Sequence, residues 1–146
     1  MRKLIFAISA LALVTSAAFA DPIADRQALM KANGKAMGVL VPIAKGEKPF
    51  DAAAVLAALQ TLNDDAQKLD VAVLFPAGSE TGGDTTASPK IWEDPAGFQA
   101  AVDKFKADAA AAVAAPPQDA AAVGAAVGAL GKNCGTCHET FRVKKG

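Results

Sequence analysis

The residues of this chain best suited to chemistry lie close together near its C-terminus, as Cys134-Gly135-Thr136-Cys137-His138. Their spacing suits one task. On a helix, Cys137 lies three residues beyond Cys134 and His138 four, so both thiols and the imidazole project from one face. The thiols can then bond the two vinyl groups of one haem while the imidazole reaches the iron, which is the C-x-x-C-H attachment pattern of haem c.

Other chemistries fit these residues less well. A thiol–disulfide helper protein carries its cysteine pair at a helix N-terminus within a βαβ frame, whereas this motif closes a helix in a chain without strand patterning. A zinc site needs a fourth strong ligand, and the chain has 2 cysteines and 1 histidine in all. A bridge between Cys134 and Cys137 would close a tiny loop and staple nothing distant. With His138 the only histidine, the iron either stays five-coordinate or takes a different sixth ligand. Methionine is the usual one in electron carriers. Past the initiator, the methionines are Met30 and Met37. Either could equally be an ordinary core residue.

The N-terminus reads as an export signal. Arg2 and Lys3 precede an apolar run from Leu4 to Val14, and Ala18-Phe19-Ala20 supplies a small-x-small cleavage site. The run is too short to span a bilayer. Residues 1–20 are therefore expected to be removed, leaving 21–146 as one domain in the periplasm with no membrane span. Loss of Arg2 and Lys3 leaves 13 basic against 15 acidic residues, a formal charge of −2. No basic patch stands out, which argues against a nucleic-acid partner.

The elements that must hold the motif are all helical. The first helix is expected over about Ile23 to Ala44, with Ile23, Met30 and Met37 recurring every seven residues and Pro42 kinking or ending it. Asp51 caps a second helix whose stripe is Val55, Leu59, Leu62, Ala66, Leu69 and Val73. Pro76 to Lys90 reads as a long surface loop. Asp94-Pro95 opens a third helix striped by Phe98, Val102, Phe105, Ala109 and Val113. The fourth runs from about Gln118 to Val143, with Val123, Val127, Leu130, Cys134, Cys137 and Phe141 inward. The expected fold is all-α, an antiparallel up-down-up-down four-helix bundle. Alanine dominates its helices and makes a thin core, which a large apolar cofactor would fill.

That topology separates the two methionines. The first and last helices are antiparallel neighbours, so the start of one lies beside the end of the other. At about 1.5 Å per residue, Met30 is level with His138 to within a turn, while Met37 is displaced by roughly 13 Å. Arg142, four residues after His138, reads either as a cation complementing the helix dipole or as one beside the iron ligand or a haem propionate.

The chain as a whole resembles the class II c-type cytochromes, the cytochrome c′ family. The likeness rests on Arg26-Gln27-Ala28-Leu29-Met30, Leu74-Phe75-Pro76, Pro89-Lys90-Ile91-Trp92, and Cys134 to His138 followed by Phe141-Arg142. The resemblance implies one covalent haem c, with His138 as proximal ligand. In the family's gas-binding members a non-ligating residue stands where Met30 does; in its low-spin branch a methionine there binds iron. Leu29-Met30-Lys31-Ala32-Asn33-Gly34 looks like the low-spin branch, which implies a non-enzymatic electron carrier with periplasmic redox partners. Arg26 resembles the family's arginine near a propionate. Trp92 is expected to pack rather than carry electrons. Family members are monomers or homodimers joined through their first two helices. The alternative function is a five-coordinate protein binding nitric oxide or carbon monoxide.

Overall fold

A computed structural model describes residues 21–144. The export signal expected at 1–20 lies outside the described residues, as does Lys145. Six helices form among the described residues: α1 (Pro22–Ala44), α2 (Ala52–Lys68), α3 (Val71–Leu74), α4 (Lys90–Glu93), α5 (Pro95–Ala114) and α6 (Ala120–Phe141). Five of them start on an aspartate. Asp21, Asp51, Asp70, Asp94 and Asp119 each accept hydrogen bonds from first-turn amides of α1, α2, α3, α5 and α6. Each cap satisfies amides that otherwise have no partner and places a negative charge at the positive end of the dipole.

The four long helices close into the expected bundle. α1 packs on α2 and α6, and α5 packs on the same two. Leu40, Val55, Leu59, Leu62, Ala66, Val123 and Leu130 are sealed in its core. The stripe read on α5 is buried from Phe98 to Ala109, and Val113 packs against its edge. No helix is long and apolar enough to cross a membrane among the described residues.

Four expectations change. First, α2 stops at Lys68, because Asp70 turns to cap a new helix with its carboxylate accepting from Ala72 N at 2.9 Å. The break throws Val73 off the stripe, leaving it 61% exposed, and buries Leu74 instead. Second, the buried line along α1 is Arg26, Asn33, Ala36, Leu40 and Ile43, not Ile23, Met30 and Met37. The seven-residue period is correct but its phase differs, since two polar residues occupy inward positions. Pro42 sits inside the last turn of α1, where it removes one donor and the helix ends two residues later, at Ala44.

Third, α6 ends at Phe141 and Arg142 is extended, at φ −128° and ψ 133°. The chain leaves the helix to pair with the preceding loop. Ser88 N donates to Phe141 O at 3.0 Å and Val143 N to Thr86 O at 2.9 Å. Fourth, that loop is no loose surface segment. It folds back over one end of the bundle, and its tip lies on α1 at Gly83, in the left-handed region at φ +51°. A Cβ there would meet Ile23 Cγ2 at 3.0 Å, so the close approach and the positive φ together favour glycine. Gln27 Nε2 donates to the Gly83 carbonyl at 2.9 Å.

Candidate haem-binding site

Two adjoining cavities open where α1, α5, α6 and the folded-back loop meet. One encloses about 420 Å³ and the other about 280 Å³. They share Met30, Leu69, Val102, Cys137 and His138, so they are lobes of one slot. Their size suits a cofactor site.

The lobes differ in chemistry. The larger is rimmed by Arg26, Lys31 and Arg142, with Thr85 and Thr86 from the loop, over a floor of Phe75, Phe98 and Phe141. The smaller is walled by Met37, Ala101, Phe105 and Gly131, with Cys134 at its back. No carboxylate lines either lobe. A slot with cations at one end and an uncharged, largely apolar other end matches a haem, whose propionates need charge partners and whose opposite edge needs none. The donor set and the lining therefore fit the group that the C-x-x-C-H spacing calls for.

On α6, burial pushes both thiols above the ordinary cysteine range, and Cys134 adds to the rise at Cys137. A thiol–disulfide catalyst needs the reverse shift, so the protein environment disfavours that alternative. His138 lies at the mouth of both lobes. Desolvation by the walls lowers its pKa, and the Arg142 charge lowers it further. Both effects keep the imidazole neutral, the form that can ligate iron. Although Arg142 has left the helix, it still lines the larger lobe beside His138, and its Nε donates to Thr86 Oγ1 at 3.4 Å.

On α1, Arg26 is only 4% exposed. Nη1 donates to the Leu74 carbonyl and to Ser79 Oγ, both at 3.0 Å. Nη2 donates to the Ser79 carbonyl at 2.6 Å and to Thr85 Oγ1 at 2.7 Å. The guanidinium also lies 5.0 Å from the centroid of the Phe75 ring. These bonds use both hydrogens of each terminal nitrogen, so Arg26 clamps the loop to the bundle as well as lining the slot. Burial lowers its pKa, opposed by Asp21 and Glu80. Met30, one turn further on, is 38% exposed and lines both lobes. Met37 reaches the smaller lobe only.

Trp92 packs as expected. Its Nε1 donates to the Phe75 carbonyl at 3.1 Å, and the rings of Phe75, Phe98 and Phe141 continue edge to face from it. Sequence reasoning missed the loop contribution of Thr85 and Thr86, the Leu69 and Val102 walls, and Asn33. The signal for Asn33 was its place midway between Arg26 and Leu40 in a seven-residue period.

The family model described as Cytochrome C' matches residues 21–142. This chain belongs to the cytochrome c′ family. It is 47% identical over 126 residues to the cytochrome c-556 of Agrobacterium fabrum, covering 86% of this chain and 84% of that one. It is 46% identical over 127 residues to a cytochrome c′ of Rhodopseudomonas palustris, covering 86% and 84%. Among solved structures, cytochrome c′ from Rhodopseudomonas palustris superposes with a TM-score of 0.79 at 44% identity, covering 86% of this chain and 98% of that one. Oxidized cytochrome c556 of the same species superposes with a TM-score of 0.74 at 40% identity, covering 86% and 98%. The chain is thus a class II c-type cytochrome and a haem c electron carrier, and Cys134 and Cys137 are its two cysteines for covalent attachment.

Proposed function

We propose that this chain is a periplasmic, non-enzymatic electron carrier whose single haem c is ligated by His138 and Met30. The observation that carries the reading is the position of Met30 and His138. They stand on different helices, α1 and α6, and both belong to both lobes of the slot. Met37 is confined to the smaller lobe, so it flanks the site rather than spanning it.

Bound haem supplies one-electron chemistry at iron, and the chain supplies everything around it. Cys134 and Cys137 tether the ring to α6. His138 presents a neutral nitrogen from the next position. Met30 supplies a thioether, which favours the ferrous state and raises the potential. Arg142 and Lys31, at the polar lobe, offer positive charge to the propionates; Arg26 adds its field while its hydrogen bonds hold the loop that closes this lobe. Phe98, Val102 and Phe105 line the slot and would keep water from the group. With His138 and Met30 both holding the iron, the same two residues would serve both oxidation states. The exchange partners are redox proteins of the same compartment.

The absorption spectrum of the reduced holoprotein, taken with and without carbon monoxide, tests this reading. A low-spin spectrum unchanged by carbon monoxide is expected. A high-spin spectrum that shifts on adding the gas would put Met30 off the iron and make the protein a gas binder.

A further inference from the structure

Two asparagines are buried against the smaller lobe, Asn33 on α1 and Asn133 on α6. They differ in what they hold. Asn133 Nδ2 donates to Asp108 Oδ2 at 2.7 Å, and Asp108 in turn pairs with Lys104 at the same distance. Asn33 is 8% exposed, and its Oδ1 is sealed from solvent without a hydrogen-bond partner. A half-turn about χ2 exchanges the donor and acceptor ends of an amide, so the sealed position can hold the Nδ2 donor as well as the Oδ1 acceptor. Native interiors rarely leave such a group unmatched, and each exception calls for a cause.

The cause lies in what Asn33 faces. Its side chain lines the lobe that holds Met30, Cys134, Cys137 and His138, where the remaining walls apart from Asn133 are apolar. Asn33 is three residues beyond Met30 on α1. Helical neighbours at that spacing have Cβ atoms about 5–6 Å apart, within reach of each other's side-chain ends. A thioether sulfur is a weak hydrogen-bond acceptor and an amide nitrogen a donor. Leucine at position 33 would match the volume and surroundings better, so the amide costs stability that its chemistry must offset.

We propose that Asn33 is a positioning residue for the sixth ligand: its amide donates to the Met30 thioether, holds that sulfur on the iron and sets the potential. This rests on Met30 being the ligand. The donor acts in two ways. It removes rotamer freedom from a flexible side chain that is otherwise only partly covered. It also draws electron density from the Met30 sulfur, which favours the ferrous state.

The test is a double-mutant cycle on the holoprotein with Asn33→Leu and Met30→Leu, read by midpoint potential and by the rate of carbon monoxide binding to the reduced form. In the native background Asn33→Leu should lower the ferrous preference about tenfold, equal to about 59 mV for one electron. It should also speed carbon monoxide binding at least tenfold, because the thioether leaves the iron more often. Asn33→Ser, which keeps a short donor, should recover part of both. In the Met30→Leu background the Asn33 change should have no further effect on either. A native-like potential and rate in Asn33→Leu, with Met30→Leu alone becoming high-spin, overturns the Asn33 role and leaves the ligand assignment standing. An equal Asn33 effect in both backgrounds overturns action through Met30. A native protein that already binds carbon monoxide removes the ligand assignment itself. If Asn33→Leu fails to fold, Asn33→Ser is compared with Asn33→Ala by the same two readouts: a shift in alanine that serine reverses supports the role, and none opposes it.

Discussion

The two walls of the slot are built on different principles. The α6 wall carries its chemistry in five consecutive residues, Cys134 to His138, and any helix there would present them together. The α1 wall spreads Arg26, Met30 and Asn33 over two turns, with other residues between them. Each depends on a partner elsewhere: Arg26 on the loop at Leu74 to Thr85, Met30 on the facing helix, Asn33 on the lobe it lines. A local motif survives errors of packing, whereas a distributed site exists only in one register of the bundle.

The largest effect should come from the α6 wall. Replacing both Cys134 and Cys137 with alanine should leave haem that acid–acetone extracts completely, against none from the native holoprotein. Equal extraction from both would break the contrast at once. Next comes removal of the haem from the whole protein. With two apolar-floored lobes no longer filled, the melting temperature should fall by about 10 °C or more relative to the holoprotein. Equal melting temperatures for the two forms would show that the walls hold each other without the cofactor.

The α1 wall should respond by position. Met30→Leu changes little volume, so the fold should survive while the spectrum becomes high-spin, carbon monoxide binds and the potential falls. Met37→Leu should leave the spectrum low-spin. If only the Met37 change alters the spin state, the register of α1 against α6 is wrong. Arg26→Met should act on the loop, since the Leu74 and Ser79 carbonyls lose their donor in a buried place. A loss of about 3 kcal/mol in chemical denaturation is expected, with the spin state retained. Destabilisation together with loss of low-spin character would mean that the loop also governs ligation.

The smallest effect concerns the tie that holds Asn133 on the α6 wall. Hydrogen bonds from Lys104 and Asn133 hold the Asp108 carboxyl below the ordinary carboxylate range. Its contribution to stability is therefore complete above the usual carboxylate pKa and is lost as pH falls through the lower folded value. Asp108→Asn should flatten that part of the acid-unfolding curve slightly and leave the haem spectrum unchanged. An unaltered curve would show the tie to be without weight.

Much was legible beforehand because much was local. Helical periodicity, the aspartate caps at Asp51 and Asp94 and the C-x-x-C-H spacing each depend on residues within a turn or two, so they could be read without knowing what packs against what. The level placement of Met30 and His138 followed from antiparallel topology and a constant rise per residue alone. The phase of α1 could not be read this way. Arg26 and Asn33 look like solvent-facing residues in a one-dimensional pattern, and only a loop that supplies four acceptors and a cavity that faces an amide make their burial tolerable. The end of α6 was set likewise from outside. Nothing in Phe141-Arg142-Val143 stops a helix, but the strand-like pairing of those residues with Thr86 to Ser88 gives their backbone groups partners that another helical turn would forfeit. Sequence determined which residues can bond haem and which helices present them. Tertiary structure decided which polar side chains could be buried around it, because a buried polar group needs a partner and those partners lie far away along the chain.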